Sequence, residues 1–301
     1  MIFSVWLSAA KPWDEVLDLG RHAEATGWDG LWVADHFMRN GDGRNDDPMH
    51  EAFALLAGLA AVVPRVRLGP LVAGNTYRHP AVLMKAATTI DHISGGRMVL
   101  GMGAGWQVNE HEAYGIALGG VRERLEWFEQ ACRILTGLRD DDRTTVPGRY
   151  GVVDAPLQPK PVGPMPLLIG ASGQKVMARI VATYAQEWNT WSTPAQWREK
   201  RRGYDRALDE AGRDPATLHT STQALVFPGA DGAAKAEKVL AGGAGRAAIG
   251  GTGAQLVDTV GQWAEAGLDE LIIPDFTLGP PERARDALDQ LMAEVVPHFR
   301  T

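Results

Sequence analysis

The chain has 301 residues, 45% of them hydrophobic, with a formal net charge of -7 and a pI of about 5.6. That length buries a sizeable core in one large α/β unit or two smaller ones, and the acidic balance lacks the basic face that neutralising nucleic-acid phosphates requires. One cysteine, Cys132, excludes an intramolecular disulfide; with no apolar run of membrane-spanning length and no signal-peptide pattern after Met1, a cytoplasmic chain without a membrane partner is expected.

The first β-rich run is 2–8, and helix 13–26 follows, closed by Gly27 where a C′ glycine belongs. Strand 30–35 ends on Asp35-His36 ahead of a polar loop, 38–47. A histidine at the C-terminal end of a strand could move protons, because imidazole titrates near neutrality; equally, Asp35 could cap the next segment and His36 pack in the loop. Helix 50–62 is stopped by Pro64, and strand 66–72 runs into Leu71-Val-Ala-Gly-Asn-Thr-Tyr-Arg-His-Pro80. Gly74 and Asn75 tolerate positive φ there and allow a bulge against a flat ligand, while Arg78 and His79 could bind an anion or tie the loop down.

After helix 81–93, strand 98–103 carries glycines at alternate positions, Gly101 and Gly103, with Gly105 just beyond it. Such spacing clears side chains from one face, so that a ring or an anion can approach the backbone; a tight turn or close packing would use the same glycines. It does not fit the dinucleotide fingerprint G-x-G-x-x-G. In the polar helical segment that follows, His111 and Glu112 are expected on a solvated face. Helix 122–138 holds Cys132 and leads to a proline-rich, weakly structured insertion, 139–166.

Strand 167–170 opens into Gly170-Ala-Ser-Gly-Gln-Lys175 at the start of helix 174–185. Two glycines, a serine and the free N–H groups of a helix start make an anion cup. Strand 187–190, helix 194–211, strand 220–226, a Gly/Ala-rich segment 227–253 with a helix from 233, helix 254–266 ending at Gly267, strand 271–275 and helix 282–296 complete the chain. Eight strands, each followed by a helix, predict a (β/α)8 TIM barrel, an α/β fold forming one domain over 1–301, with both insertions near its C-terminal mouth or packed beside it. Trp106, Trp188 and Trp191, at strand ends, could wall an aromatic pocket or belong to the core. H-E-x-x-H, a cysteine cluster and G-x-S-x-G are all missing, so no metal site and no serine nucleophile is expected.

The segments AEATGWDGLWVADHF, LGPLVAGNTYRHPAVL, DHISGGRMVLGMGAGWQVNEHEAYGI, LLIGASGQ and AEAGLDELII resemble the bacterial luciferase-like family of flavin and deazaflavin enzymes over nearly the full length. Asp35-His36, GAGW ahead of Asn109 and Glu110, and the GASG turn look most like its coenzyme F420 branch. The resemblance implies an oxidoreductase in which a deazaflavin lies in the barrel mouth and exchanges hydride at C5. It also implies that Asp35 and His36 approach the ring, with His36 as acid or base. Leu71, Val72 and Gly74 would form a bulge with a cis peptide, Gly103, Ala104, Gly105 and Asn109 would line the side chain of the cofactor, and Gly170, Ala171, Ser172 and Gly173 would hold its phosphate.

The sugar-phosphate dehydrogenases of that branch carry a glutamate where this chain has Trp106, and another where it reads Ala9-Ala-Lys-Pro12. Trp6, Trp106 and Trp188 therefore point to a small apolar or aromatic substrate. The alternatives are an FMN-dependent two-component monooxygenase and a non-catalytic F420-binding protein. Family analogy adds a homodimer, and Arg39, Arg44 and Lys175 are the basic residues placed to meet a polyglutamate tail.

Overall fold

Runs that alternate apolar and small residues between two faces form the strands, and the amphipathic segments between them form the helices. The computed structural model describes residues 1–41, 45–243 and 245–300. In chain order the strands are β1 (Ile2–Leu7), β2 (Gly30–Val33), β3 (Arg67–Pro70), β4 (Ala73–Gly74), β5 (Leu100–Gly103), β6 (Thr144–Val146), β7 (Val152–Ala155), β8 (Leu167–Gly170), β9 (Glu187–Asn189), β10 (His219–Gln223), β11 (Leu225–Pro228), β12 (Ala248–Gly251) and β13 (Glu270–Pro274). The helices are α1 (Trp13–Thr26), α2 (Ala52–Val62), α3 (Pro80–Ser94), α4 (Val108–Tyr114), α5 (Val121–Asp140), α6 (Val176–Tyr184), α7 (Pro194–Glu210), α8 (Gly232–Ala241), α9 (Gly253–Glu265) and α10 (Pro281–Glu294).

Nine strands make one parallel sheet in the order β3-β2-β1-β13-β10-β9-β8-β5-β4. Its two outer strands, β3 and β4, are halves of a single stave interrupted at Leu71 and Val72, and a bridge between Leu68 and Met98 joins the edges. The expected eight-stave barrel follows. Along β1, Phe3, Val5 and Leu7 pack outward into the helix layer, while Ser4 and Trp6 point inward. Helix ends follow local chemistry: α1 stops at Gly27 with φ 95°, and α7 and α9 begin in capping boxes, Thr193 with Gln196 and Thr252 with Gln255.

Three expectations change. The run 220–226 is not one strand: Ala224 makes the last barrel bond, to the Ile272 carbonyl, and Leu225 turns away to the Ala247 carbonyl, starting the outer pair β11–β12. Segment 227–253 is thus a small βαβ unit rising from the mouth, as placed, but built from regular elements. Insertion 139–166, expected to be weakly structured, contains the antiparallel hairpin β6–β7 and lies mostly along the barrel's flank. The Asp91 carboxylate holds the amides of Val162 and Gly163, His92 meets the Lys160 carbonyl, and only the hairpin tip reaches the mouth, where Tyr150 bonds Asn75 and His79.

Candidate active site

The site is assembled where β2, the β3–β4 stave, β5 and β8 end. Leu71 points into the barrel and the Leu71–Val72 peptide is cis. Val72 then fills a trough left by three glycines: a Cβ on Gly103 would lie 2.8 Å from Val72 Cγ2, one on Gly170 2.9 Å from it, and one on Gly101 3.2 Å from Val72 Cγ1. The alternate glycines therefore make room first for the stave's own bulge. The half-buried Val72 becomes an apolar floor between them, suited to a flat ring.

Asp35 sits behind this bulge. Its carboxylate accepts from the Gly74 amide at 3.0 Å and takes the Arg78 guanidinium in a two-pronged pair at 2.7 and 2.9 Å. Burial pushes the Asp35 carboxyl up from its ordinary value, against the pull of Arg78 and the Gly74 amide. Arg78 also bonds Glu51 and lies over Phe53, so it ties the loop together; His79 caps α3 by accepting from the Ala81 amide.

His36 is held by a residue whose role the sequence did not reveal. Glu110, fully buried on α4, accepts from His36 Nδ1 at 2.7 Å, from the Phe37 amide at 2.8 Å and from the Tyr77 hydroxyl. Burial works to raise Glu110, but the His36 and Tyr77 bonds outweigh it and hold the carboxyl below its ordinary range. An ionised carboxylate can only accept, so Nδ1 carries the hydrogen and Nε2 is left for chemistry. Nε2 has no partner among the described residues, and the side chain is 25% exposed. Trp106 meets the imidazole edge-on at 5.7 Å and is itself 57% exposed.

The same helix corrects a second expectation. His111 is not solvated: it is buried, bonded to Thr76 Oγ1 at 2.7 Å and to the Gln107 carbonyl at 2.6 Å, while Glu112 is exposed. Gly105 has φ 86°, and a Cβ there would strike Thr76 Oγ1 at 2.7 Å, which fixes the turn beside half-buried Ala104. Asn109 donates to the Arg39 carbonyl at 2.9 Å, and its buried Oδ1 has no partner among the described residues. The anion cup is narrower than expected. Ala171 is tied into the barrel through the Asn189 carbonyl, whereas Ser172 and Gly173 are exposed beside the start of α6, which has no side-chain cap.

The tryptophans divide. Trp6 lies inward at the mouth against Trp191 and Phe276, with ring centroids 5.8 and 5.2 Å away. Trp188 is a correction: it faces outward, fully buried, stacked on Tyr204 at 3.7 Å, with its indole N–H bonded to the Ala171 carbonyl. Successive strand residues face opposite sides, so an inward Glu187 and Asn189 force Trp188 outward. It braces the cup from behind and cannot wall a pocket. Of the basic residues, Arg39 pairs with Asp47 on the surface at 3.3 Å, Lys175 is exposed at the cup, and Arg44 lies outside the described residues.

A different cluster fills the opposite end of the barrel. Glu187, His219 and Glu270 bring ligand-type atoms within 4.8 Å of one another, a metal-like grouping, but the Arg67 guanidinium supplies the positive charge, bonding Glu187 and lying 3.9 Å from Glu270.

The family model described as luciferase-like monooxygenase matches residues 2–298. An F420-dependent glucose-6-phosphate dehydrogenase of Kineococcus radiotolerans is 34% identical over 166 residues, 54% of this chain and 48% of its own. The pyrimidine monooxygenase RutA of Cronobacter sakazakii is 31% identical over 172 residues, 54% of this chain and 50% of its own. The chain thus spans about half the length of these curated relatives. The solved coenzyme F420-dependent tetrahydromethanopterin reductase of Methanopyrus kandleri superposes with a TM-score of 0.84 over 99% of both chains, at 18% identity, and shows the shared fold.

Proposed function

The chain belongs to the luciferase-like monooxygenase family, and we propose on that premise that it is a coenzyme F420-dependent oxidoreductase acting on a small apolar or aromatic organic molecule. A bound deazaflavin supplies the hydride carrier, at its C5, that no side chain can replace. The residues fit such a group: Val72 offers an apolar floor, Gly103 and Gly170 keep it clear, Asn109 Oδ1 is an unused acceptor, and Ser172, Gly173 and the α6 start present donors to a phosphate.

The observation that carries the reading is the 2.7 Å bond between His36 Nδ1 and buried Glu110. With Nδ1–H pinned, His36 Nε2 takes the proton from a substrate hydroxyl on oxidation or returns it on reduction, and Glu110 stabilises the imidazolium between those events. Trp106 packs on the imidazole edge and limits its rotation. Trp6, Trp191 and Phe276 favour an apolar body, and Lys11, in the segment after β1, is neutralised by Asp275 at 2.9 Å.

Titration of tryptophan fluorescence with F420 and, separately, with FMN tests the cofactor. Micromolar quenching by F420 alone is expected; binding of neither ends the reading. Identity to a pyrimidine monooxygenase favours one second reading, FMN-dependent monooxygenation, and preference for FMN with oxygen consumption would replace the first. Tight F420 binding without turnover across a substrate panel would leave a binding protein. A cytoplasmic homodimer completes the proposal; light scattering checks the dimer, and no helix among the described residues is long and apolar enough to cross a membrane.

A further inference from the structure

Several buried polar atoms at the barrel mouth have no partner among the described residues, Asn75 Oδ1 and Asp275 Oδ1 among them, and two of the others lie on inward strand positions of side chains more than nine-tenths buried. One is the indole donor Trp6 Nε1, the other the acceptor Gln223 Oε1, on residues 9% and 6% exposed. Both occupy inward positions. Trp6 belongs to the interior cluster that includes Ile272, and Gln223 is the register partner of Ile272 on β10, two residues beyond Ser221, which bonds inward Asn189 at 2.9 Å. Leaving a buried donor and acceptor unpaired costs more than the bond itself would return, so such atoms at the mouth of a ligand site mark what the ligand must offer.

We propose that Trp6 Nε1 and Gln223 Oε1 form a recognition edge for an uncharged aromatic carbonyl compound that also carries an N–H donor, the carboxamide class, with its ring against Trp191 and Phe276. This deepens the oxidoreductase reading and rests on it for the position of the substrate. The carbonyl accepts from Trp6, the N–H donates to Gln223, and the carbon that reacts lies elsewhere on the molecule. Neither recognising group is charged, so an ionised ligand would lose its water at this edge with no compensating charge from it. The aromatic walls are in place: Trp6 sits at 5.8 Å from Trp191 and 5.2 Å from Phe276, which is 44% exposed.

The test uses the full chain labelled with ¹⁵N at its ten tryptophan indoles, with the Trp6 resonance assigned by its loss in Trp6→Phe. Benzamide is compared with acetophenone, in which a methyl replaces the amide NH₂. Benzamide is expected to move the Trp6 resonance saturably and to bind about tenfold more tightly than acetophenone, and Gln223→Leu to abolish that preference. A stationary Trp6 resonance up to the solubility limit of benzamide, or equal binding of the two probes by the unmodified protein, overturns the proposal even if a variant fails to fold. The titration is run without F420 and with it. Discrimination without F420 binding would sink the cofactor reading alone; F420 binding without discrimination would sink this edge alone.

Discussion

The two ends of the barrel interior treat polar groups in opposite ways. At the strand starts, Glu270 accepts from Ser4 and Trp32, meets His219 at 3.3 Å and has Arg67 beside it, and Arg67 also pairs with Glu187. Charge there is met by charge inside the protein, with Arg67 Nε the one buried atom of that group lacking a partner among the described residues. At the strand ends, His36 Nε2, Trp6 Nε1, Gln223 Oε1 and Asn109 Oδ1 have no partner among the described residues. One end closes on itself and stabilises the fold; the other leaves its hydrogen-bonding capacity for something else. That division is the one expected of a barrel whose chemistry sits at its C-terminal face.

The largest expected effect lies at the closed end. Arg67→Ala strands two buried carboxylates and should cost about 3–5 kcal/mol of stability in denaturant unfolding, while F420 affinity of the folded protein stays within about twofold. Lost cofactor binding with unchanged stability would break the comparison. His36→Ala should do the reverse, lowering turnover by about 10²-fold with less than about 1 kcal/mol of destabilisation. Glu110→Gln, which keeps the shape but not the charge, should lower kcat about tenfold with KM unchanged; an effect on KM alone would make Glu110 a binding residue. Gly170→Ala pushes a methyl to 2.9 Å from Val72 Cγ2, and F420 binding should weaken by about threefold to tenfold as the floor shifts.

The smallest effect is the pH dependence of the closed end. Glu270 is buried, yet Arg67 and His219 draw it from 4.5 down to about 2, so its stabilisation is whole above pH 4.5 and is lost as the pH falls towards 2. His219 is shifted the other way: burial lowers it, but the Glu270 bond and the neighbouring carboxylates raise it above 6.5. Its contribution is therefore whole below 6.5 and fades as the pH rises through the raised value. Melting temperatures across pH 2–9 should show both flanks, and Arg67→Ala should move the acid flank to higher pH.

The closed architecture was legible in part because three helices carry their own punctuation before the next stave: Gly27, Pro64 and Gly267 end elements in the sequence and in the fold. The glycines at 101, 103 and 170 also stood out, although the spacing could not say that a valine from the neighbouring stave fills their trough. Glu110 and His111 escaped because α4 has seven residues, too few for periodicity to separate a buried face from a wet one. Trp188 was misplaced for a recoverable reason, since strand parity with Glu187 and Asn189 settles its face. The break after Gln223 carries no glycine or proline, and it depends on Leu225 finding Ala247, which only the folded chain brings near.

The split stave gives the barrel an unusual seam. Its lower half hydrogen-bonds β2 and its upper half β5, so above the Leu68–Met98 bridge the circle of strands is completed through the same residues, Leu71 and Val72, that form the proposed floor. Whatever rests on that floor presses on the clasp of the whole ring. Occupancy should then be felt far from the ligand, as slower amide exchange at Leu68 and Val99, where the edges meet, and as a higher melting temperature for the entire barrel.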